Sequence, residues 1–562
     1  MARDIVVIGG VATGPKAAAR ARRRDPEARI TIIERGGLLS YAGCGLPYYI
    51  AGLVEDAEDL MCTPAGVVRD AAFFKGVKDI EVRSRTLADA IDRERREVEI
   101  VNVESGEHSR LRYDTLVLAT GGMAVFPLVP GIELKRVFRL ANPEDAIAIR
   151  GAALARNVKR VAIIGGGLIG MEVTHALVEL GVEVSVVEMM PHVLPTLLDA
   201  EMAALLENHL KAKGVDLRTR ERVLALEGDE TGSVRRVVTD KGTVQADMAL
   251  IAVGVRPNAL LAQAAGLRLG ETGAIAVNEY LQTSDPNIYA GGDCVENTHL
   301  VSGRKVYMPL GSTANKHGRV IGDNITGGRE RFPGIVGTTV LKVFDFNVGR
   351  TGLSEREARA LGYDITTSMA PSPDCAHYYP GAKNVLVKLV VENSTGKVLG
   401  GQALGPGEAV KRIDVIATTL TYGGTVEQLA NLDLGYAPPY STAIDVAEHA
   451  ANIVRNKQAG LAAALTPLEV REKLDRGDDF VLLDVRTLKE YENESIPDPR
   501  VKLVPLGKLR SRLAELPRDK EIVAFCKLSL RGYEAQTILK GAGFENVKFM
   551  DGGLAAWPFT VK

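Results

Sequence analysis

The apolar residues of this chain fall into short, nearly continuous runs separated by glycine-rich turns. Residues 3–8, centred on Ile5-Val-Val-Ile8, read as a buried strand, 9–14 as a turn and 15–24 as a helix. Pro15 falls in the first turn of that helix, where a missing N–H costs little. Ala28–Glu34 is a second strand, and Tyr113–Leu118 and Asp247–Ala252 are strands that each feed a glycine turn. The pattern returns from Arg160 to Glu188 as strand, turn, helix and strand, an internal duplication of one unit and not a solenoid. Runs that are apolar throughout suit strands covered on both faces, so this part of the chain predicts an α/β architecture.

From about residue 330 the texture changes. Gly337–Val343 and Asn384–Val391 alternate as strands, and 354–361 and 408–421 are helical, which predicts a separate α+β module. Residues 455–465 read as a linker. A final unit starts at Thr466, an N-cap residue with Pro467 behind it.

Composition narrows the class. A chain of 562 residues exceeds one core, since a domain takes roughly 100–200 residues. Lys and Arg number 69 against 71 Asp and Glu, so no broad basic face is expected and nucleic acid is excluded as a partner. The first strand begins too early for a signal peptide, and no apolar run reaches the ~18 residues of a membrane span. Five widely spaced cysteines fit a reducing compartment better than a disulfide framework. The expectation is a cytoplasmic, multidomain protein with no membrane contact and no metal site.

Gly165-Gly-Gly167-Leu168-Ile169-Gly170 is a full G-x-G-x-x-G between the strand Val161–Ile164 and an Ala/Leu-rich helix. The next strand ends on Glu188. Such glycines let a pyrophosphate approach a helix N-terminus, and the acid suits a ribose 2′-OH while repelling a 2′-phosphate. NADH is therefore expected rather than NADPH. The first turn, Gly9-Gly10-Val11-Ala12-Thr13-Gly14, is weaker because Val11 holds the middle glycine position, yet its second strand also ends on an acid, Glu34. Ala119-Thr120-Gly121 follows a strand, and Ile288-Tyr-Ala-Gly-Gly-Asp293 carries another strand to an acid.

With these motifs the chain resembles the FAD-dependent pyridine nucleotide-disulfide oxidoreductases over about residues 1–455. The resemblance implies two interleaved Rossmann-like domains: FAD at 1–120 and 250–328, and NAD at 121–249. A dimerisation domain at 329–455 would follow. The same resemblance assigns Gly9, Gly10, Val11, Ala12, Gly14, Glu34, Arg35, Val82, Ala119, Thr120, Gly121, Asp293, Leu310 and Gly311 to FAD. It assigns Gly165, Gly167, Leu168, Ile169, Gly170, Glu188 and Gly254 to NAD.

Ser40-Tyr-Ala-Gly-Cys44-Gly-Leu-Pro-Tyr-Tyr49 holds one cysteine where glutathione-reductase-like members carry a C-x4-C pair. Its oxidised form must be a mixed disulfide, a persulfide or a sulfenic acid, unless Cys44 is simply a small buried hydrophobe. The segment is similar to that of coenzyme A-disulfide reductases and their persulfide-reducing relatives. By the same resemblance, Tyr378 of His377-Tyr-Tyr-Pro-Gly381 and Tyr436 of Tyr436-Ala-Pro-Pro-Tyr440 would reach the redox centre of a partner subunit in a homodimer. Aromatic packing at a dimer contact is the compatible alternative. Coenzyme A would lie along Lys16, Arg20 and Arg23, beside Ser40, with Lys75 or Lys78 further on. The cations could equally be a solvated helix face. Thr13, Gly43 and Ile444 depart from residues common in that family.

The tail carries Leu482-Leu-Asp484-Val-Arg486, Glu490-Tyr491, Val504-Pro-Leu506, Cys526…Arg531 and Asp551-Gly-Gly553…Trp557, and resembles a rhodanese domain, 466–562 after a linker at 456–465. Cys526-Lys-Leu-Ser-Leu-Arg531 follows the strand Glu521–Phe525, an arrangement suited to cradle a sulfur atom with backbone N–H groups and a cation. Glu494-Ser-Ile496 replaces the usual Gly-His-Ile, a departure expected to lie outside the sulfur-binding loop. Together the parts imply an NADH-oxidising flavoprotein that reduces coenzyme A persulfide, polysulfide or coenzyme A disulfide at Cys44, with Cys526 handling sulfane sulfur. Two alternatives stay open. One is an NADH peroxidase or oxidase cycling Cys44 through sulfenic acid; the other is a sulfurtransferase or sulfur-trafficking protein.

Overall fold

The computed structural model describes residues 2–562, which form two compact units. The first comprises residues up to Pro191 and Gly214–Ile335. The second comprises His192–Lys213 and everything from Val336 onward.

The first unit is built around two five-stranded parallel sheets, with smaller antiparallel sheets at 86–112 and 223–245. Its elements begin with β1 (Asp4–Ile8), α1 (Thr13–Arg24), β2 (Arg29–Ile33), β3 (Glu81–Arg83) and β4 (Thr115–Leu118). They continue with β5 (Val137–Phe138), β6 (Arg160–Ile164), α2 (Leu168–Glu179) and β7 (Glu183–Glu188). The helix α3 (Ala200–Ala212) interrupts the series before β8 (Asp216–Thr219), β9 (Met248–Ile251), β10 (Ile288–Ala290) and α4 (Gly311–Asn324). One sheet has the order β10-β4-β1-β2-β3 and the other β8-β7-β6-β9-β5. Ile5, Val7, Leu116 and Leu118 in the first, and Val161, Ile163 and Val186 in the second, are essentially inaccessible to water. Parallel strands covered on both faces need that continuous apolar character.

The second unit has an antiparallel sheet, β11 (Thr339–Val343), β12 (Phe346–Gly352), β13 (Ile365–Pro373), β14 (Asn384–Glu392) and β15 (Val398–Gly405), in the order β11-β12-β15-β14-β13. The helices α5 (Glu355–Ala360), α6 (Ala409–Thr421) and α7 (Val446–Gln458) belong with it. A parallel five-stranded sheet follows, made of β16 (Ala464–Leu465), β17 (Phe480–Asp484), β18 (Val501–Leu503), β19 (Glu521–Phe525) and β20 (Val547–Met550). Its helices are α8 (Pro467–Arg476), α9 (Leu488–Asn493) and α10 (Leu530–Gly541). Thr466 caps α8 through a reciprocal box with Glu469.

Two features depart from the sequence reading. The stretch 455–465 is not all linker, because α7 runs through Gln458 and Ala464–Leu465 joins the last sheet, leaving 459–463 between them. And α3, expected inside the NAD-binding domain, belongs to the second unit. Its flank is held by Lys388 of β14, a fully buried ammonium that reaches Glu201, Asp199 at 3.0 Å and Glu355 at 2.7 Å. Burial alone would lower the Lys388 pKa, but Glu201, Asp199 and Glu355 outweigh it and raise it. Gln402 of β15 adds a two-way amide bond to Asp199, at 2.9 and 2.6 Å.

Candidate active site

In the first unit, the two glycine turns are built alike. Gly9 and Gly165 have φ of +113° and +106°, and a Cβ there would come within 2.1 Å of the Ala119 carbonyl and 2.4 Å of the Ala252 carbonyl. Only glycine fits. Gly121 and Gly254 (also at positive φ) and Gly167 instead have nothing within 4 Å of where a Cβ would stand. Side chains are thus absent beside Gly167 of the second turn and beside Gly121 and Gly254 in the loops after β4 and β9, space that a dinucleotide pyrophosphate needs. Val11 and Ala12 occupy the first turn, and Ala12 offers no side-chain cap to α1.

The two strand-ending acids behave as a pair of equivalents. Glu34 accepts from the backbone N–H of Gly10 at 2.7 Å and Gly36 at 2.6 Å. Glu188, buried, accepts from Gly166 at 2.6 Å and Met190 at 2.7 Å. Each carboxylate closes its glycine turn and keeps lone pairs for a ribose hydroxyl. Arg35 is exposed beside Glu34, Val82 is half-buried on β3, and Thr120 donates to the Asn258 carbonyl at 2.6 Å. Leu168 and Ile169 open α2.

Asp293 is half-buried, and burial raises its pKa. The loop before it is fixed by His317 of α4, whose Nδ1 accepts from the Gly292 N–H at 3.1 Å. Burial pushes His317 down to about 4, so it stays neutral and able to accept. Sequence reasoning passed over His317 because its role depends on a contact between residues 25 positions apart.

Cys44 sits in a single 3-10 turn, Gly43–Gly45, and is exposed. It lies beside the start of α4: a Cβ on Gly311, just after Leu310, would stand 3.7 Å from its sulfur. A helix N-terminus favours a thiolate. Opposing effects are larger, because burial within the surrounding shell, then Glu172, then Asp293 raise the thiol pKa. Glu172 on α2 is itself pushed up to about 7 by burial. It was missed in the sequence although it stands two places after Gly170, where the glycine motif already fixes the helix face.

Two of the cations expected to hold coenzyme A are paired with carboxylates. Arg20 is engaged by Asp323, at 3.0 and 2.7 Å, and Lys75 pairs with Asp79 at 3.2 Å on the surface. Lys16 and Arg23 are exposed on α1, four residues before and three after Arg20. Arg22, Arg23 and Arg24 also end α1, where cations complement the helix dipole. Ser40 has φ of +50° and donates its N–H to the Gly10 carbonyl at 2.8 Å.

In the second unit, Tyr378 and Tyr436 come together. Both are exposed, and the hydrogen bond that Tyr378 donates to Tyr436 raises the Tyr378 pKa. Buried Arg412 holds both supporting loops, binding the Asp374 carbonyl at 2.7 Å and the Asp445 carboxylate at 2.8 Å. Burial would raise Asp445, but Arg412 and hydrogen bonds hold its pKa down.

Cys526 lies at the end of β19, buried, and the Leu554 N–H binds its carbonyl at 2.9 Å. Ser529 takes φ of +81°, a strained conformation for a non-glycine residue that bends the loop into α10. Arg531 and Cys526 interact, and Arg531 also forms a bidentate pair with Glu490 at 2.9 and 2.6 Å. That pair, first among the causes, holds Glu490 down at about 2 and raises Arg531. Buried Arg486 grips Asp484 and binds the carbonyls of Glu490 and Glu494, so the segment carrying both acids is fixed to β17. Glu494, outside the Cys526–Arg531 loop as the sequence reading has it, nevertheless reaches that loop and pairs with Lys527 at 2.5 Å. Among the described residues no group of His, Cys, Asp and Glu is placed to hold a metal ion, and no helix is long and apolar enough to cross a membrane.

Two dinucleotide folds sharing one unit with a lone exposed cysteine define a pyridine-nucleotide oxidoreductase acting on sulfur. The chain belongs to the pyridine nucleotide-disulphide oxidoreductase family, which matches residues 3–318, with its dimerisation domain at 338–448 and a rhodanese-like domain at 466–558. It is similar to a solved NAD-dependent persulfide reductase from A. fulgidus, with TM-score 0.94 and 48% identity over 99% of this chain and 100% of that one. It is 40% identical to the CoA-dependent NAD(P)H sulfur oxidoreductase of Pyrococcus abyssi over 79% of this chain and 96% of that one. It is 34% identical to an NADH oxidase of Methanocaldococcus jannaschii over 78% of this chain and 95% of that one.

Proposed function

We propose that this protein uses NADH and FAD to reduce coenzyme A persulfide, polysulfide or coenzyme A disulfide at Cys44, and that Cys526 handles the sulfane sulfur. The carrying observation is a redox motif with one exposed cysteine on a chain whose tail holds Cys526 beside Arg531. The glycine turns, Glu34 and Asp293 fit FAD, and Gly165–Gly170 with Glu188 fit NADH. When bound, these cofactors supply the electron pair. Cys44 as thiolate attacks the inner sulfur of R–S–S–H; the S–S bond breaks, HS⁻ leaves, and Cys44–S–S–R forms. The electron pair then cleaves that mixed disulfide, returning Cys44 and R–S⁻.

Tyr378 and Tyr436 of the partner subunit, as phenols sharing a hydrogen bond, would donate to the departing thiolate. That role requires a homodimer. Lys16 and Arg23, with Ser40, remain the best placed to meet a coenzyme A phosphate, Arg20 being engaged by Asp323.

The test compares NADH oxidation with coenzyme A persulfide, coenzyme A disulfide, H2O2 and O2 for the wild type, Cys44→Ser and Cys526→Ser. The sulfur substrates should outrun H2O2 and O2, and Cys44→Ser should lose at least a hundredfold in kcat, the order set by removing a nucleophile. Faster turnover of H2O2 or O2 than of every sulfur substrate would establish the oxidase reading suggested by the Methanocaldococcus relative.

A further inference from the structure

Resting on that reading of Cys526, we infer that its loop is specific for a sulfane sulfur carried on an uncharged organic arm, and that Glu494 sets this preference against small dianions such as thiosulfate. Two cations stand at the mouth, Lys527 in the loop between β19 and α10 and Arg531 in the first turn of α10. Each is paired with a carboxylate. Arg531 is bound by both oxygens of Glu490, and Lys527 by Glu494 at 2.5 Å. The two acids hold position independently of the loop, because Arg486 fastens their backbone carbonyls to Asp484, at 3.3 Å for Glu490 and 2.7 Å for Glu494. Arg486 and Asp484 are almost completely buried, so this anchor is rigid. Two cations thus face two carboxylates, and these four side chains together offer a dianion approaching Cys526 no net charge.

The remaining side chains of the loop point the same way. Leu528 is 37% exposed and Leu530 is 65% exposed, flanking Ser529 at the mouth. Exposed leucines offer contact to methylene and amide groups and nothing to a sulfonate.

The chemistry separates the two donor classes. With an organic persulfide, the Cys526 thiolate attacks the terminal sulfur of R–S–S–H. The internal S–S bond breaks, Cys526–S–S–H forms, and R–S⁻ leaves; one S–S bond replaces another with no net oxidation. With thiosulfate, the same attack must expel sulfite as a dianion, whose departure needs free cations at the mouth. Lys527 and Arg531 each already carry a carboxylate partner.

The experiment measures Cys526-dependent sulfur transfer to cyanide in the full chain, with thiosulfate and with pantetheine persulfide as donors and Cys526→Ser as background. The wild type is expected to favour pantetheine persulfide by at least tenfold in kcat/KM. Glu494→Gln should raise thiosulfate kcat/KM by on the order of tenfold through KM at low salt, an advantage that shrinks at high ionic strength. Leu530→Ser should do the reverse, raising KM for pantetheine persulfide and leaving thiosulfate unaffected. NADH-driven reduction of coenzyme A disulfide in the same preparations reports that each variant is folded. A wild type that prefers thiosulfate, or a Glu494→Gln variant with an unchanged donor ratio, overturns the inference while leaving Cys526 as a carrier. Equal transfer by Cys526→Ser and wild type defeats the carrier reading itself.

Discussion

Glu172 and Asp293 act on the Cys44 thiol through space, and both add to what burial does to its pKa. Because burial pushes Glu172 up to about 7, its charge and its hold on Cys44 both change around that pH. Above that pH the ionised carboxylate disfavours the thiolate; below it the neutral acid does not. Glu172→Gln should therefore quicken iodoacetamide alkylation of reduced Cys44 at pH 8 by on the order of three- to tenfold, with the difference fading at pH 6. Equal rates at pH 8 would remove Glu172 from the redox centre. Sequence made Cys44 legible as the candidate redox residue through its motif. It did not reveal the acid that tunes it, because an electrostatic neighbour on another element leaves no mark on local spacing.

Among elements, the strand end of β20 does more than close a sheet. Asp551, 1% exposed, accepts from Lys457 of α7 at 2.7 Å and from the Met369 N–H of β13 at 3.0 Å. Two residues on, Gly553 packs so closely that a Cβ would come within 2.4 Å of the Cys526 carbonyl. The Leu554 and Ala555 N–H groups then bind the Cys526 and Lys527 carbonyls, at 2.9 and 3.0 Å. The Cys526 loop is thereby braced from the module before it. Lys457→Met leaves Asp551 buried without its cation, which costs about 3–5 kcal/mol where such a pair is broken. Hydrogen exchange should quicken in 551–556 and 526–529, while Cys44-dependent NADH oxidation persists; unchanged exchange there would make the contact incidental. The Thr466 cap was legible because its partner Glu469 lies three residues on, and both glycine turns because their glycine spacing is itself local. The Lys457–Asp551 pair spans 94 positions, and no periodicity encodes it.

For the whole molecule, the membership of α3 matters most. Lys388 is surrounded by three acids that come from two separated stretches of chain, at 199–201 and at 355. Lys388→Met should cost about 3–5 kcal/mol, since it strands buried carboxylates, and should lower the thermal midpoint by several degrees. An unchanged midpoint would show that the acids simply take up protons. The fold class was readable from apolar runs and glycine turns, yet the division into units was not. Residues 192–213 continue a dinucleotide-binding pattern in sequence while Met202, Leu206 and Leu210 bury themselves in the second unit.

That excursion makes the chain pass between its units at 191–192, 213–214 and 335–336. A gene split after Ile335 would hand the first fragment an apolar helix with its cover left behind on the second. The reductase and its dimerisation module are therefore tied as a single heritable block. The connector at 459–463, which interrupts no element, is a seam where shuffling can add or replace a tail.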